Sequence, residues 1–335
     1  YKVLSMKKKK NDKVIGIMTG TSMDGIDISY CSTDGLNSIK IFDEKSYNYP
    51  ISIQTLIKKI KIINYSNNKN IKKYDKKITD IIINYLKIFL KEFVISKKQI
   101  DFISLSGQTV LHVPKKKFTL QLGNPNLICK SLKLNVVSDF RIKDILNGGQ
   151  GAPIGSYYHK LLINKINPKS AIINLGGVAN FSLLNKKKLI SSDIGPANAI
   201  TDDLMFYFFK KKFDKNGNIA SKGKKNIKIF ELYKKNSFFK KNFPKSLDRN
   251  NFHYLFKKLK KLRPHDALNT SSNFTIHSII KLIDHKICEN INEFILTGGG
   301  RKNGYILNSL RNLRKDIKFS IIDDYKFNGD LVEAQ

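Results

Sequence analysis

The hydrophobic positions of this chain form short apolar runs separated by longer segments with helical periodicity. Apolar runs that end at glycines, as in 14–30, 171–184 and 294–300, predict β-strands followed by tight turns. Segments in which apolar residues recur at spacings of three and four predict amphipathic helices between these strands. The succession of strand, helix and strand predicts an α/β protein.

The clearest predicted helix spans 74–93, where Ile78, Ile81, Tyr85 and Phe89 form one apolar stripe. Further helices are predicted at 51–63, from 197, at 226–236, at 273–288 and from 303. Further short strands are predicted at 38–49, 100–105, 118–123, 134–137 and 318–323.

Two strand-turn-strand segments, 14–30 and 171–184, share one design although their sequences do not repeat. In each, an apolar strand breaks at glycine and a second strand follows. Because one lies early in each half of the chain, they predict a duplicated architecture. We expect two domains, 13–145 and 146–335, each with one such hairpin.

The composition fits two medium-sized domains, since the chain has 335 residues and 41% of them are hydrophobic. The net charge of +34 by itself suggests a nucleic-acid or anionic-membrane partner. The lysines are spread through almost every segment beside abundant Ile and Asn, which indicates a genome-wide bias instead of a binding patch. We therefore expect neither nucleic acid as the main partner nor membrane association.

Three widely separated cysteines predict no disulfide framework, and a reducing cytoplasm is the simplest location. The sequence has no apolar span of the length that a transmembrane helix requires. The basic start before Met6 is expected to be a leader or an upstream read-through, and further sequence is expected after Gln335.

The first turn, within VIGIMTGTSMDGIDISY (14–30), combines glycines, hydroxyls and acids. Gly20 and Gly25 lack a Cβ, so the backbone N–H groups there can approach a ligand closely. Asp24 and Asp27 would repel a bare anion, which makes sense if a divalent metal accompanies a phosphate. An ordinary hairpin turn with surface acids explains the same residues.

The segment DFRIKDILNGGQGAP (139–153) is rich in turn residues and predicts a shaped loop without helix or regular strand. It holds Asp139, Arg141, Asp144 and Gln150, and loops held by rigid elements commonly carry binding groups. Asp144 equally fits a role in bonding the N–H groups of the loop itself.

The motifs together resemble those of the anhydro-N-acetylmuramic acid kinase family. They follow one another in the family's order between Ile15 and Glu333: IGIMTGTSMDGID, SGQTVLHVP, FTLQLGNPNLI, SDFRIKDILNGGQGAP, INLGGVANFSLL, DIGPAN, FDKNGNIASKG, PKSLDR and LTGGGRKN. The resemblance implies the two-lobed α/β fold shared by actin and hexokinase, with ATP and the active site in the cleft between the lobes.

The resemblance also implies a reaction. ATP, water and 1,6-anhydro-N-acetylmuramic acid would give N-acetylmuramic acid 6-phosphate and ADP, in cell-wall recycling and amino-sugar catabolism. Water is a poor nucleophile at neutral pH, so a positioned carboxylate base is needed. In the DIGPAN motif that base falls on Asp193, although an aspartate before Gly195-Pro196 also fits a turn or a helix cap.

The resemblance assigns binding residues by position. The ATP-binding residues would be Gly20, Thr21, Ser22, Met23, Asp24, Gly25, Ile26, Asp27, Asn174, Gly176, Gly177, Gly298, Gly299 and Gly300. Mg²⁺ would lie near Asp24 and Asp27, bound directly or through water. The sugar would contact Gln108, His112, Asp139, Arg141, Gln150, Asn198 and Glu333. His112 equally fits a half-buried strand histidine.

Four departures from the family pattern bear on substrate and stability. Ser106 replaces the histidine of SHGQT, and Lys143 replaces an arginine, which exchanges a bidentate fork for a point charge. Leu247-Asp248 replaces Thr-Gly. The terminal helix that follows in the family is not in this sequence.

These observations and the resemblance predict a cytoplasmic, ATP-dependent sugar kinase, and a homodimer is what the family resemblance implies. A related kinase acting on another anhydro- or amino-sugar is the first alternative, prompted by Ser106 and Lys143. The others are an ATP-binding protein without turnover and a basic nucleic-acid binder.

Overall fold

The computed structural model describes residues 11–19, 25–62, 70–186, 188–332 and 334–335. The chain divides into two units, one with residues up to Ile154 together with Ala334 and Gln335, the other Gly155–Val332. Six residues with predicted roles in binding ATP, Mg²⁺ or the sugar lie outside the described residues: Gly20, Thr21, Ser22, Met23, Asp24 and Glu333.

The first unit is built on a mixed sheet. Its described strands are β1 (Asp12–Met18), β2 (Gly25–Thr33), β3 (Ile39–Asn48), β4 (Phe102–Leu105), β5 (Gln108–Val113), β6 (Phe118–Leu122) and β7 (Val136–Val137). Its described helices are α1 (Ile51–Ile62), α2 (Ile71–Glu92), α3 (Pro125–Leu132) and α4 (Phe140–Leu146). The main sheet has the order β3-β2-β1-β4-β7, and β5 and β6 form a separate hairpin.

The core of the first unit confirms the predicted helix α2 but corrects its buried face. Ile78, Ile82, Leu86 and Phe89 are fully buried, and they pack in the same core as the strand residues of β1 and β2. Tyr85, which the predicted stripe placed at its centre, is half-buried because its hydroxyl reaches out to donate to the Asn48 carbonyl at 2.6 Å.

The second unit has the same arrangement. Its described strands are β8 (Ser170–Leu175), β9 (Val178–Asn185), β10 (Lys188–Pro196), β11 (Glu293–Thr297) and β12 (Lys318–Ile321). Its described helices are α5 (Ser156–Ile166), α6 (Asn198–Phe209), α7 (Ile227–Lys234), α8 (Phe256–Leu259), α9 (Pro264–Ile283) and α10 (Gly304–Leu313). The order in its sheet is β10-β9-β8-β11-β12.

The two sheets confirm the predicted duplication. In each, three antiparallel strands come first along the chain, and the first of them pairs in parallel with a fourth strand. A fifth strand then adds in parallel to the fourth. Both glycine-containing segments therefore join the first two strands of equivalent sheets.

Both faces of the second sheet are covered by apolar side chains. On one face Ile173 and Phe181 are fully buried in a cluster that includes Ile279 of α9. On the other face Ile172 packs with Leu162 of α5. Alternate residues of each strand therefore point to different cores, which fixes the register of the strands.

Two further predictions about elements are wrong in extent. Helix α9 begins at Pro264, nine residues before the predicted start, because its polar first half is buried and hydrogen-bonded: the Thr270 hydroxyl, for example, donates to the Asp266 carbonyl at 2.6 Å. The segment 139–153 is not a loop throughout, since α4 occupies its first half. The glycines and the proline that indicated a loop all lie after α4 ends.

In the part of the chain that the structure describes, none of the helices has the length and apolar character needed to cross a bilayer.

Candidate active site

Asp193 lies near the end of β10, an edge strand of the second sheet, where the pairing with β9 shifts register between Asp193 and Gly195. Such an irregularity re-aims side chains at the end of a strand. The Asp193 N–H donates to the Lys245 carbonyl at 3.0 Å, and the Asp193 carboxylate Oδ2 accepts from the Leu247 N–H at 2.7 Å. The segment 245–247 therefore runs along the edge of β10 and holds the carboxylate through its backbone.

The neighbouring residue fixes that segment. The Ser192 hydroxyl accepts from the Lys245 N–H at 2.8 Å and donates to the Lys245 carbonyl at 2.9 Å. Ser192 is buried, so these bonds are shielded from water. Asp193 does not cap α6, whose N-cap is Ala197, so the interpretation of Asp193 as a helix cap is wrong.

Burial raises the pKa of the Asp193 carboxyl to about 6, and the hydrogen bond from Leu247 acts in the opposite direction. A carboxyl with a pKa near the operating pH is well matched to general-base catalysis, because it is ionised at neutral pH and still holds a proton strongly. Carboxyl groups with strongly perturbed pKa values are also enriched at functional sites.

Asp193 belongs to a row of polar residues across the sheet. The register places Asn174 of β8 opposite Asn180 of β9, and Asn180 opposite Asp193 of β10. Thr297 of β11 pairs with Asn174 from the other side. Directly opposed residues of neighbouring strands point to the same face of a sheet, so Asn174, Asn180 and Asp193 share one face.

The turn between β8 and β9 is fixed to the start of α6. The Gly177 carbonyl accepts from the Ala197 and Ala199 N–H groups at 3.1 and 3.2 Å, and the Gly176 carbonyl accepts from the Asn198 N–H at 3.0 Å. The Asn198 carboxamide donates to the Leu175 carbonyl at 2.8 Å. Asn198, a predicted sugar-binding residue, therefore also joins the turn to the helix.

The glycines of the predicted ATP site fall into two groups. Gly298 has a φ of +72°, and a Cβ there would lie 2.3 Å from the Asn174 Oδ1. A Cβ on Gly300 would lie 2.6 Å from the Leu175 Cβ, so the fold itself requires both glycines. Gly176, Gly177 and Gly299 lack such a reason: a Cβ would meet ordinary contacts or open space.

In the first unit, three of the predicted sugar-binding residues come together. His112 of β5 lies with its Nδ1 3.1 Å from the Thr119 hydroxyl of β6. Burial lowers the pKa of His112 and the Arg141 charge lowers it further, while a hydrogen bond with the Gln150 backbone acts against both. The Arg141 guanidinium of α4 donates to the Gly151 carbonyl at 2.8 Å.

The other two predicted sugar-binding residues of this unit among those described differ in exposure. Gln108 begins β5 and is fully buried, whereas Asp139 is exposed before α4 with a φ of +65°. The Asp144 carboxylate accepts from the Gly151 N–H at 2.6 Å. This bond confirms the alternative in which Asp144 holds the N–H groups of the loop.

The residues that end the first turn have structural contacts of their own. A Cβ on Gly25 would lie 2.5 Å from the Tyr47 carbonyl oxygen, and the Ile26 side chain is fully buried in the core. The Asp27 carboxylate accepts from the Ser46 hydroxyl at 2.5 Å. Among the described residues, His, Cys, Asp and Glu do not gather in a group of three or more that could hold a metal.

Comparison with known proteins shows the family. The family model described as anhydro-N-acetylmuramic acid kinase matches residues 12–335. This chain belongs to the anhydro-N-acetylmuramic acid kinase family. It is 35% identical to the anhydro-N-acetylmuramic acid kinase of Pelagibacter ubique (strain HTCC1062) over 338 residues, which cover 96% of this chain and 88% of that protein. It is 36% identical to that of Gamma-proteobacterium EBAC31A08, with 88% and 81% covered.

A solved structure supports the α/β fold predicted for this chain. The crystal structure of component A of the (R)-2-hydroxyglutaryl-CoA dehydratase of Acidaminococcus fermentans superposes with a TM-score of 0.50. It is 11% identical and covers 96% of both chains. This likeness concerns the fold alone, and it confirms the predicted α/β fold.

The structure shows the contacts of two residues that depart from the kinase family pattern. Ser106 directly follows β4, and its hydroxyl and N–H both donate to the Ile17 carbonyl of β1 at 3.1 Å. Leu247 buries its side chain while its N–H binds Asp193. Because the donor is the backbone, the change of side chain at 247 keeps this bond.

Sequence patterns did not indicate two neighbours of Asp193 that the fold supplies. Asn180 was part of a recognised motif, but only the strand register reveals that it lies opposite Asp193. The Leu247 N–H comes from a segment 54 residues away in sequence. The six-residue spacing of Asn174 and Asn180 around a glycine turn is the signal that could have identified Asn180.

Proposed function

We propose that this chain catalyses the ATP-dependent hydrolytic ring opening and phosphorylation of 1,6-anhydro-N-acetylmuramic acid. The products would be N-acetylmuramic acid 6-phosphate and ADP, and the reaction would serve cell-wall recycling and amino-sugar catabolism. The observation that carries the proposal is the half-buried Asp193 carboxylate, held by the Leu247 N–H and with a pKa raised to about 6. Membership of the kinase family supports the choice of substrates.

The proposed chemistry needs a base. Water attacks the anomeric carbon and gives one proton to Asp193, while the bond between that carbon and the 6-oxygen breaks. The freed 6-oxygen forms a bond to the γ-phosphorus, and the bond from that phosphorus to the bridging oxygen of ADP breaks. A positioned base of this kind contributes roughly 10²- to 10⁴-fold to the rate. No protein group attacks phosphorus, so the rest of the task is orientation and charge neutralisation.

For ATP, we propose that the turns after β8 and β11 bind phosphate and adenosine through their backbone. Gly176, Gly177 and Gly299 support this proposal, because neither their backbone conformation nor their neighbours require a glycine. A missing Cβ at these positions instead leaves N–H groups open to a ligand. Asn174 and Gly298 would complete this surface.

Mg²⁺ would neutralise phosphate charge in this reaction. Of its two candidate ligands, Asp27 is the one that lies within the described residues. The Ser46 hydroxyl orients one oxygen of Asp27, and hard carboxylate oxygens suit Mg²⁺.

Binding of the sugar is proposed for Gln108, His112, Asp139, Arg141, Gln150 and Asn198. We also propose a homodimer, which fits the family, and a cytoplasmic location, which the three widely separated cysteines favour.

The test measures ADP release from ATP with 1,6-anhydro-N-acetylmuramic acid, in the wild type and in Asp193→Asn. The product is analysed by mass for the addition of both phosphate and water. Asp203→Asn is a matched control, since Asp203 is a partly exposed acid of the same unit on α6. Sugar-dependent ADP release that survives in Asp193→Asn would contradict the proposed base.

A related kinase acting on another anhydro- or amino-sugar is the second candidate. Ser106 favours it, because its hydroxyl is bonded to the Ile17 carbonyl, whereas the family usually has a histidine at this position. A panel of anhydro- and amino-sugars in the same assay distinguishes the two. A higher kcat/KM for another sugar would favour the second candidate.

A further inference from the structure

The side chain of Asn180 carries a buried carboxamide oxygen that the proposed reaction does not use. It lies on β9 between Asn174 and Asp193, which are its partners on the two neighbouring strands. Its carboxamide oxygen Oδ1 is buried and accepts no hydrogen bond from the described residues. A buried carbonyl oxygen without a donor carries a free-energy cost, so a donor at this position would stabilise the protein.

Asp193 is the neighbour that can become such a donor. Cross-strand partners have Cβ atoms roughly 4.5–5.5 Å apart, which brings two short polar side chains within reach of each other. An ionised carboxylate only accepts hydrogen bonds, but a protonated one carries an O–H that donates. The Leu247 N–H occupies the Asp193 Oδ2, so we expect Oδ1 to be the oxygen that takes up the proton.

We propose that Asn180 is a positioning residue for Asp193, and that its Oδ1 accepts the hydrogen bond of the protonated Asp193 carboxyl group. The source of the proton, the attacking water, rests on the proposed function. The pairing itself depends only on the folded chain. By stabilising the acid form, Asn180 lets the base hold its proton while the sugar ring opens.

Other charged groups around Asp193 do not replace this role. His159 of α5 faces the same side of the sheet, where its Nδ1 lies 2.9 Å from the Ser182 hydroxyl, and burial keeps it neutral by lowering its pKa to about 4. The Lys245 ammonium donates to the Phe238 and Lys241 carbonyls at 3.2 and 3.1 Å. Asp248 follows Leu247 on the edge segment, and none of these charges is a cause of the raised Asp193 pKa.

The experiment measures the pKa of Asp193 without any substrate. The free energy of unfolding is determined against pH for the wild type and for Asp193→Asn, and the pH at which their difference changes reports that pKa. The same pair is then measured in the Asn180→Leu background, which keeps the branched shape of the side chain but removes the acceptor. A neutral hydrogen bond of ordinary strength predicts that the pKa of Asp193 falls by about half a unit to one unit.

Ser170→Ala is the matched control. Ser170 lies on β8, and its hydroxyl is likewise buried without a partner among the described residues, but it pairs with Glu293 at the other end of the strand. Its removal is expected to leave the pKa of Asp193 unchanged. If Asn180→Leu does not fold, Asn180→Ala provides the same comparison. A pKa of Asp193 that stays constant without the Asn180 carboxamide, or falls equally in Ser170→Ala, overturns the proposal.

Enzyme kinetics separate this proposal from the proposed function. If sugar-dependent turnover exists, the acidic limb of kcat against pH is expected to move down with the pKa in Asn180→Leu, while KM for ATP stays within about twofold. A lowered pKa in a protein without sugar-dependent turnover supports the pairing and rejects the substrate. Turnover with an unmoved acidic limb and an unmoved pKa rejects the pairing alone.

Discussion

The carboxylate Oδ2 of Asp193 accepts a hydrogen bond from the backbone N–H of Leu247 at 2.7 Å. The bond links an edge strand to a segment 54 residues later in the chain and stabilises the ionised form of the carboxyl group. Burial acts in the opposite direction and is the larger cause, so the pKa of Asp193 is raised to about 6. The two opposing effects make the pKa of this acid sensitive to small changes.

Leu247→Pro removes the N–H donor and is expected to raise the pKa of Asp193. Hydrogen bonds to charged groups contribute about 1.5–3 kcal/mol, which corresponds to a rise of about one unit or more. The acidic limb of kcat against pH is then expected to move to higher pH. Leu247→Ile is the control, because it keeps the donor and an apolar side chain in the core. An unmoved limb in Leu247→Pro would contradict the role of this bond.

Asp193→Asn is expected to stabilise the protein at pH 7 while abolishing turnover. The folded-state pKa of about 6 lies above the ordinary 3.8, so the folded state binds more protons between these values and loses stability as pH rises through them. At pH 7 the cost approaches about 3 kcal/mol, and below pH 4 it disappears. Chemical denaturation at pH 4 and pH 7 checks this, with Asp203→Asn as the control. If Asp193→Asn changed the free energy of unfolding equally at both pH values, the raised pKa of a buried Asp193 carboxyl would be contradicted.

The buried imidazole of His159 is expected to act with the opposite sign. Burial lowers its pKa from 6.5 to about 4, so the unfolded state binds more protons between these values. Stability is therefore fully present above pH 6.5 and is lost as pH falls toward 4, by up to about 3 kcal/mol. His159→Gln should flatten this loss. The measurement belongs in the Asp193→Asn background, because the two groups titrate over overlapping pH ranges. A slope unchanged by His159→Gln would refute the assignment.

The sequence predicts those parts of the site that depend on neighbours along the chain. The double glycine at Gly176 and Gly177 indicated a hairpin, and the run ending at Gly298 indicated a strand before a turn, because turns depend on local backbone preference. The family resemblance supplied the role of Asp193. None of these signals depends on distant contacts.

The parts that sequence could not predict come from distant contacts. The pairing of Asn180 with Asp193 needs the register of two strands, and the Leu247 N–H comes from a Lys-rich stretch without periodicity. The start of α9 at Pro264 could not be predicted from sequence for a similar reason. Residues such as Asn269 and Thr270 are polar, yet the tertiary structure buries them and satisfies their hydrogen bonds.

Gly177→Ala and Gly298→Ala are expected to separate ligand contact from fold. Gly177 does not have a positive φ, and an added Cβ would lie 3.6 Å from the Ala199 Cβ, so Gly177→Ala should leave the melting temperature nearly unchanged. If the turn receives phosphate, the new methyl group displaces it, and KM for ATP should rise roughly tenfold, a cost of about 1.4 kcal/mol.

Gly298→Ala is expected to lower the stability of the fold. The φ of Gly298 is +72°, and an added Cβ would lie 2.3 Å from the Asn174 Oδ1, so any Cβ at this position is strained. A loss of about 1–3 kcal/mol in unfolding free energy should follow, with activity falling as the folded fraction falls. Thermal unfolding and ATP titrations of the two variants provide the comparison. An unchanged KM for ATP in a fully folded Gly177→Ala protein would remove the turn after β8 from the ATP site.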